Sequence, residues 1–143
     1  MSSEAYRTLA RRFVEDVWDK GDLAAVEEVF SRDVVDHHAV WPAPGVEGQK
    51  QLLTAFRTAF PDLHVTAEDI LVDGDRMAVR WTARGTHQGE LLGIPATGKQ
   101  VTITGIDILR IAGGKIVERW AEDNGLALMQ QLGVVPSPGQ ASA

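Results

Sequence analysis

The sequence predicts an α+β fold in which helices come first and a curled antiparallel sheet follows. Apolar residues recur with a period near 3.6 up to residue 60 and with a period of 2 beyond it. Glycine and proline punctuate the same pattern at Gly21, Pro61, Gly74, Gly113-Gly114 and Gly133.

The first helix spans Ser3 to Lys20, where Tyr6, Leu9, Ala10, Phe13, Val14, Val17 and Trp18 share a face and Gly21 stops the run. Asp22 is placed to cap a second, shorter helix with Leu23, Val26, Val29 and Phe30 inward. A brief extended piece around VVDHH and a Pro/Gly loop, WPAPGVEG, lead to a third helix from about Gln49 to Phe60, closed by Pro61. LHVTAEDILV and MAVRWTARGTH read as strands joined at DGD; VTITGIDILRI is a third strand, and KIVERWAE a fourth reached across AGG. Such a sheet must curl over the helices to bury one face, which leaves a cavity between them. A last short helix, LALMQQL, ends at Gly133. Residues 1–133 therefore form one domain, and 134–143 a flexible tail.

With 143 residues and 44% hydrophobic content the chain can bury a core of its own. The formal charge of -6, without long runs of either sign, gives nucleic acid or anionic lipid no electrostatic grip. The absence of cysteine excludes disulfides, thiolate metal sites and cysteine nucleophiles, and suits a reducing cytoplasm. The charged N-terminus lacks a signal-peptide core, and no segment approaches the roughly 20 apolar residues of a membrane span. The expectation is a soluble cytoplasmic protein whose partner is a small molecule.

Strand alternation nominates the polar residues that face the cavity. On the third strand Asp107 shares a face with Val101, Ile103, Gly105, Leu109 and Ile111, so a lone desolvated carboxylate with a raised pKa is expected there, unless it pairs with an arginine or a bulge shifts the pleat. On the second strand Trp81 lies on the apolar face and His87 continues it toward the cavity rim or the surface. On the fourth, Glu118 and Trp120 share a face that continues to Asn124, leaving Asp123 on the other side as the more natural helix cap. His37 and His38 diverge if extended, so at most one points inward. The four histidines show no spacing that assembles a metal site, and no phosphate loop or nucleophile elbow is present.

The run VRWTARGTHQGELLGIPATGKQVTITGIDILRI, followed by GGKIVERW and LMQQLG and preceded by AFPDL, resembles the SnoaL-like polyketide cyclases, an ester cyclase-like branch of the nuclear-transport-factor-like superfamily. The likeness covers roughly residues 5 to 133. It implies a conical α+β barrel without cofactor or metal, often a homodimer through its sheet, with a deep pocket for a polyketide-like substrate of secondary metabolism. It also implies ring closure by intramolecular aldol addition. The family's aspartate four positions after the strand tryptophan is Asn124 here, His37 falls where a histidine stands at the pocket mouth, and Asp107 takes the acidic place on the third strand. On this reading the catalytic candidates are Asp107 as base with Asn124 and His37 as donors, and Asp123 as the alternative base if a bulge at the strand end rotates it inward, while Trp81, His87, Trp120 and Glu118 contact substrate. An epoxide-opening or other hydrolase reaction in the same pocket, or ligand binding alone, are the alternatives.

Overall fold

The computed structural model describes residues 1–38 and 43–139. Helix α1 (Ser3–Arg12) starts at Ser2, whose hydroxyl oxygen accepts from the Ala5 amide. The single helix expected to Lys20 instead widens into π-helical turns over Phe13–Asp19, with the Lys20 amide donating to the Glu15 carbonyl five residues back. Tertiary bonds hold that end. The Asp19 carboxylate accepts from the Val65 amide at 2.8 Å, and Arg57 donates to the carbonyls of Asp19 and Leu63, both at 2.7 Å.

Asp22 caps α2 (Leu23–Val29) as expected, its side chain accepting from Ala24 and Ala25. Phe30 does not continue that helix. It opens strand β1 (Phe30–Asp36), and its ring meets Phe13 edge-on at 5.8 Å in the core. Residues 39–42, in the expected Pro/Gly loop, lie outside the described residues, as do 140–143 of the tail. Helix α3 (Gly45–Ala59) begins four residues before the predicted start and ends ahead of Pro61.

The sheet continues with β2 (His64–Asp73), β3 (Arg76–Thr86), β4 (Gln100–Ala112) and β5 (Lys115–Asp123), in the order β1-β5-β4-β3-β2. Neighbours among β2 to β5 run antiparallel, whereas β1 runs parallel to β5, so the sheet is mixed. It curls over the helices, and its edge strands β1 and β2 do not pair. The β4–β5 turn is Gly113-Gly114 with φ of 58° and 77°, the left-handed backbone of a tight hairpin. Helix α4 (Gly125–Leu132) closes one end, and Gly133 at φ 82° terminates it. No helix among the described residues is long and apolar enough to cross a membrane.

One irregularity decides what faces the core. Arg110 of β4 pairs with Glu118, while the next residue, Ile111, pairs with Ile116, so Val117 is an extra residue on β5. This bulge reverses the alternation beyond it. Ile116 stays inside, Glu118 turns out, and Arg119, Ala121 and Asp123 take the inner face. The expectation that Glu118, Trp120 and Asn124 share the cavity face is thereby corrected.

Candidate active site

Between the concave sheet and the helices lies a cavity of about 260 Å³. Its walls are apolar. Phe13, Val14 and Trp18 come from the π-helical turns, Phe56 and Phe60 from the end of α3, and Trp81, Ala83 and Ile103 from the sheet. The charged side chains reaching it are Asp107, Arg119, Asp123 and Arg84, with His38 beside them.

Asp107 sits on the inner face of β4 as the alternation predicts, with no exposed surface. It is not a lone charge: of the two states expected, the one paired with an arginine is found. Arg119 donates from Nε to its Oδ2 at 2.8 Å, and the Trp81 indole N–H donates to Oδ1 at 3.0 Å. Arg119 also donates from one terminal nitrogen to Asp36 Oδ2 at 3.0 Å and to Gln49 Oε1 at 3.3 Å, and the Gln49 amide donates to Asp36 at 2.7 Å. The guanidinium lies 5.7 Å from the ring centres of both Phe13 and Trp18. Burial opposes its charge, but Asp107 and Asp36 together outweigh that cost and hold Arg119 above the ordinary arginine value. The floor of the cavity is thus an arginine fixed by two carboxylates.

Trp81 can lie flat against β4 because residue 105 has no side chain. A Cβ on Gly105 would come within 2.7 Å of the indole Cε2 and 2.9 Å of the Glu122 carbonyl. Trp81 lines the cavity, as the alternation predicts.

At the other end, Asp123 points inward and Asn124 does not. The Asn124 side-chain oxygen accepts from the Ala127 amide at 3.1 Å and caps α4, so the two residues exchange the places expected of them. The Asp123 carboxylate is 34% exposed, with its Oδ2 3.9 Å from His38 Nε2. His38 is turned inward because Asp36 Oδ1 accepts its amide at 2.9 Å and bends the chain out of the strand. Of the two adjacent histidines, one does point inward, and it is His38.

His37 lies on the outer face of the sheet. Its ring stacks on Trp120 at 4.8 Å, and its Nε2 is 2.8 Å from Glu118 Oε2. Glu118 also accepts from Arg110, and the bonds from His37 and then Arg110 hold its carboxyl below the usual glutamate value. His37, Glu118 and Trp120 are therefore away from the cavity, contrary to expectation. His87 is neither at the rim nor at the surface. It is fully buried behind Phe60, 5.5 Å between ring centres. Its Nδ1 accepts from the Thr97 amide at 3.2 Å, which leaves the proton on Nε2, an atom without a partner among the described residues.

The residues not foreseen are His38, Arg119, Asp36, Gln49 and the space-making role of Gly105. Among the described residues no group of three or more His, Asp or Glu converges as a metal site. Chemically, the cavity offers an apolar body with fixed N–H donors at its floor and a carboxylate–imidazole pair at its rim.

The comparisons with known proteins agree with this architecture. The model of the SnoaL-like polyketide cyclase family matches residues 8–132. The aklanonic acid methyl ester cyclase DnrD of Streptomyces peucetius is 27% identical over 129 residues, 87% of this chain and 88% of that protein. The structure of TsrD from Streptomyces laurentii superposes with a TM-score of 0.88 at 27% identity, covering 94% of this chain and 99% of that one. AclR of Streptomyces galilaeus, provisionally assigned as a hydroxylase, gives 0.84 at 30% identity over 97% and 87% of the two chains. The fold, the enclosed apolar cavity and a family match over most of its length make this chain a member of the SnoaL-like polyketide cyclase family.

Proposed function

We propose that the protein closes a ring by intramolecular aldol addition on an apolar, oxygenated substrate of polyketide type, with Asp123 and His38 moving the proton. The observation that carries this reading is Asp123: a partly exposed carboxylate beside an imidazole, on the rim of an apolar cavity. Asp123 takes a proton from the carbon next to a carbonyl, and the enolate carbon bonds to a second carbonyl carbon. The new alkoxide takes up a proton through His38. The product is an isomer of the substrate, so no oxidant, reductant or cofactor is required. A placed acid/base of this kind contributes about 100 to 10,000 fold. Arg119 donates to the enolate oxygen as charge develops, a role for which a donor held rigid in a dry site is suited. Asp107 works behind Arg119 and Trp81, fixing both, instead of acting as the base.

Asp123→Asn is expected to lower turnover at least 100 fold while ligand affinity changes only a few fold. Full turnover in this variant overturns the assignment. The reaction is expected in the cytoplasm, on a diffusible intermediate of secondary metabolism.

Arg119 bridging Asp107 and Asp36 favours a second reading, in which a floor carboxylate activates water and opens an epoxide or another electrophile. Oxygen from labelled water in the product would select it; its absence selects ring closure.

For the molecule's own partner, the outer sheet face points to a second copy of the chain. Leu71, Ala78, Ile108 and Trp120 line up across β2 to β5, with Ile106 alongside. Leu71 is 64% and Ile106 48% exposed. Arg80 with Asp69 and Arg110 with Glu118 flank the stripe, giving both signs of charge to a self-complementary surface.

A further inference from the structure

The size of the cavity limits what it encloses. An apolar cavity of about 150 Å³ holds one benzene, roughly 25 Å³ for each ring atom. At that scale about 260 Å³ admits about ten ring atoms, which is two fused six-membered rings, whereas three fused rings need about 350 Å³. The walls cannot retreat easily. Trp81 is pinned by its bond to Asp107 and its seat on Gly105, and Trp18 packs edge-on to Phe56 at 6.1 Å.

The charge of the site is the second constraint. Asp36, Asp107 and Arg119 sum to a formal charge of minus one at the floor, and Asp123 and Arg84 add one charge of each sign to the lining, so the whole remains at minus one. A ligand carboxylate entering here would face carboxylates in an apolar enclosure, where repulsion is screened little. A neutral carbonyl oxygen, by contrast, finds the Arg119 N–H groups.

The geometry points to a neutral, two-ring carbonyl compound as the ligand this cavity encloses. It rests on the reading of the cavity as the substrate pocket, and it separates this chain's substrate from larger fused-ring systems.

Three probes test it by quenching of Trp18 and Trp81 fluorescence: 1-tetralone, with two rings and one ketone; anthrone, with three rings and one ketone; and 1-naphthoate, with two rings and a carboxylate. The expected result is that 1-tetralone binds at least tenfold more tightly than either of the others, although anthrone is the more hydrophobic. Equal or tighter binding of anthrone overturns the size limit, equal binding of 1-naphthoate overturns the charge argument, and no binding by any probe overturns the ligand class. Ala83→Leu, which fills the cavity from β3, is expected to weaken 1-tetralone at least tenfold. If that variant does not fold, Val101→Phe fills the same space, and unchanged affinity in a folded filling variant overturns the location. These are binding results, so their failure is distinct from a failure of the cyclase reading, which is decided by the proton-transfer activity of Asp123→Asn.

Discussion

Asp123 and Asn124 are neighbours with different tasks, and substitution separates them. Asn124→Ala removes a helix cap and is expected to cost about 1 kcal/mol of stability, read as a lower midpoint of denaturant unfolding, with proton-transfer activity retained. At the floor, Arg119→Leu leaves Asp107 and Asp36 buried without their common partner. A loss of about 3–5 kcal/mol in unfolding free energy is expected, measured the same way. Asp107 and Trp81 were legible in the sequence because strand alternation alone puts them inside. Arg119, Asp36 and Gln49 were not, because each reads as an ordinary polar residue until β1, β4, β5 and α3 bring them together. His38 depended on a side-chain-to-backbone bond that bends the chain at Asp36, and adjacent histidines carry no sign of which one turns.

At the scale of elements, helix order, the two β-hairpins and the period change near residue 60 were all readable. Three features were not. The π-helical widening after Arg12 is held by tertiary bonds from Arg57 and to β2, and a period of 3.6 cannot register it. Strand β1 was readable only as an extended piece around VVDHH, and its parallel pairing with β5, far along the chain, was not. The bulge at Val117 has no signature in KIVERWAED, yet it decides that Arg119 and Asp123 face the cavity. The outer side of that bulge gives a pH prediction. Glu118 has a lowered carboxyl pKa in the folded protein, so below the ordinary glutamate value of 4.5 the unfolded chain takes up a proton that the folded chain resists. Stability from this group is complete above that pH and is lost as pH falls through the lowered folded value. Glu118→Gln is expected to reduce the acid sensitivity of the thermal midpoint between pH 7 and pH 3; an unchanged pH slope would contradict the role given to His37 and Arg110.

At the scale of the whole molecule, the curled sheet has two uses. Its concave face holds the cavity, and its convex face carries the stripe of Leu71, Ala78, Ile106, Ile108 and Trp120 that we assign to a second copy. Ile106→Glu puts a charge beside the middle of that stripe and is expected to shift the sedimentation mass from dimer to monomer without loss of circular dichroism. An unchanged mass removes this face from the interface. Because the cavity lies on the opposite side, the monomer is expected to keep its ligand affinity. The central claim, that Asp123 on the cavity rim moves a proton at carbon, is tested most directly by exchange of the α-protons of a ring ketone such as 1-tetralone in deuterated water, followed by proton NMR. The account predicts catalysed exchange by the native chain and by Asn124→Ala, with at least a 100-fold loss in Asp123→Asn; exchange by Asp123→Asn at the native rate would contradict it.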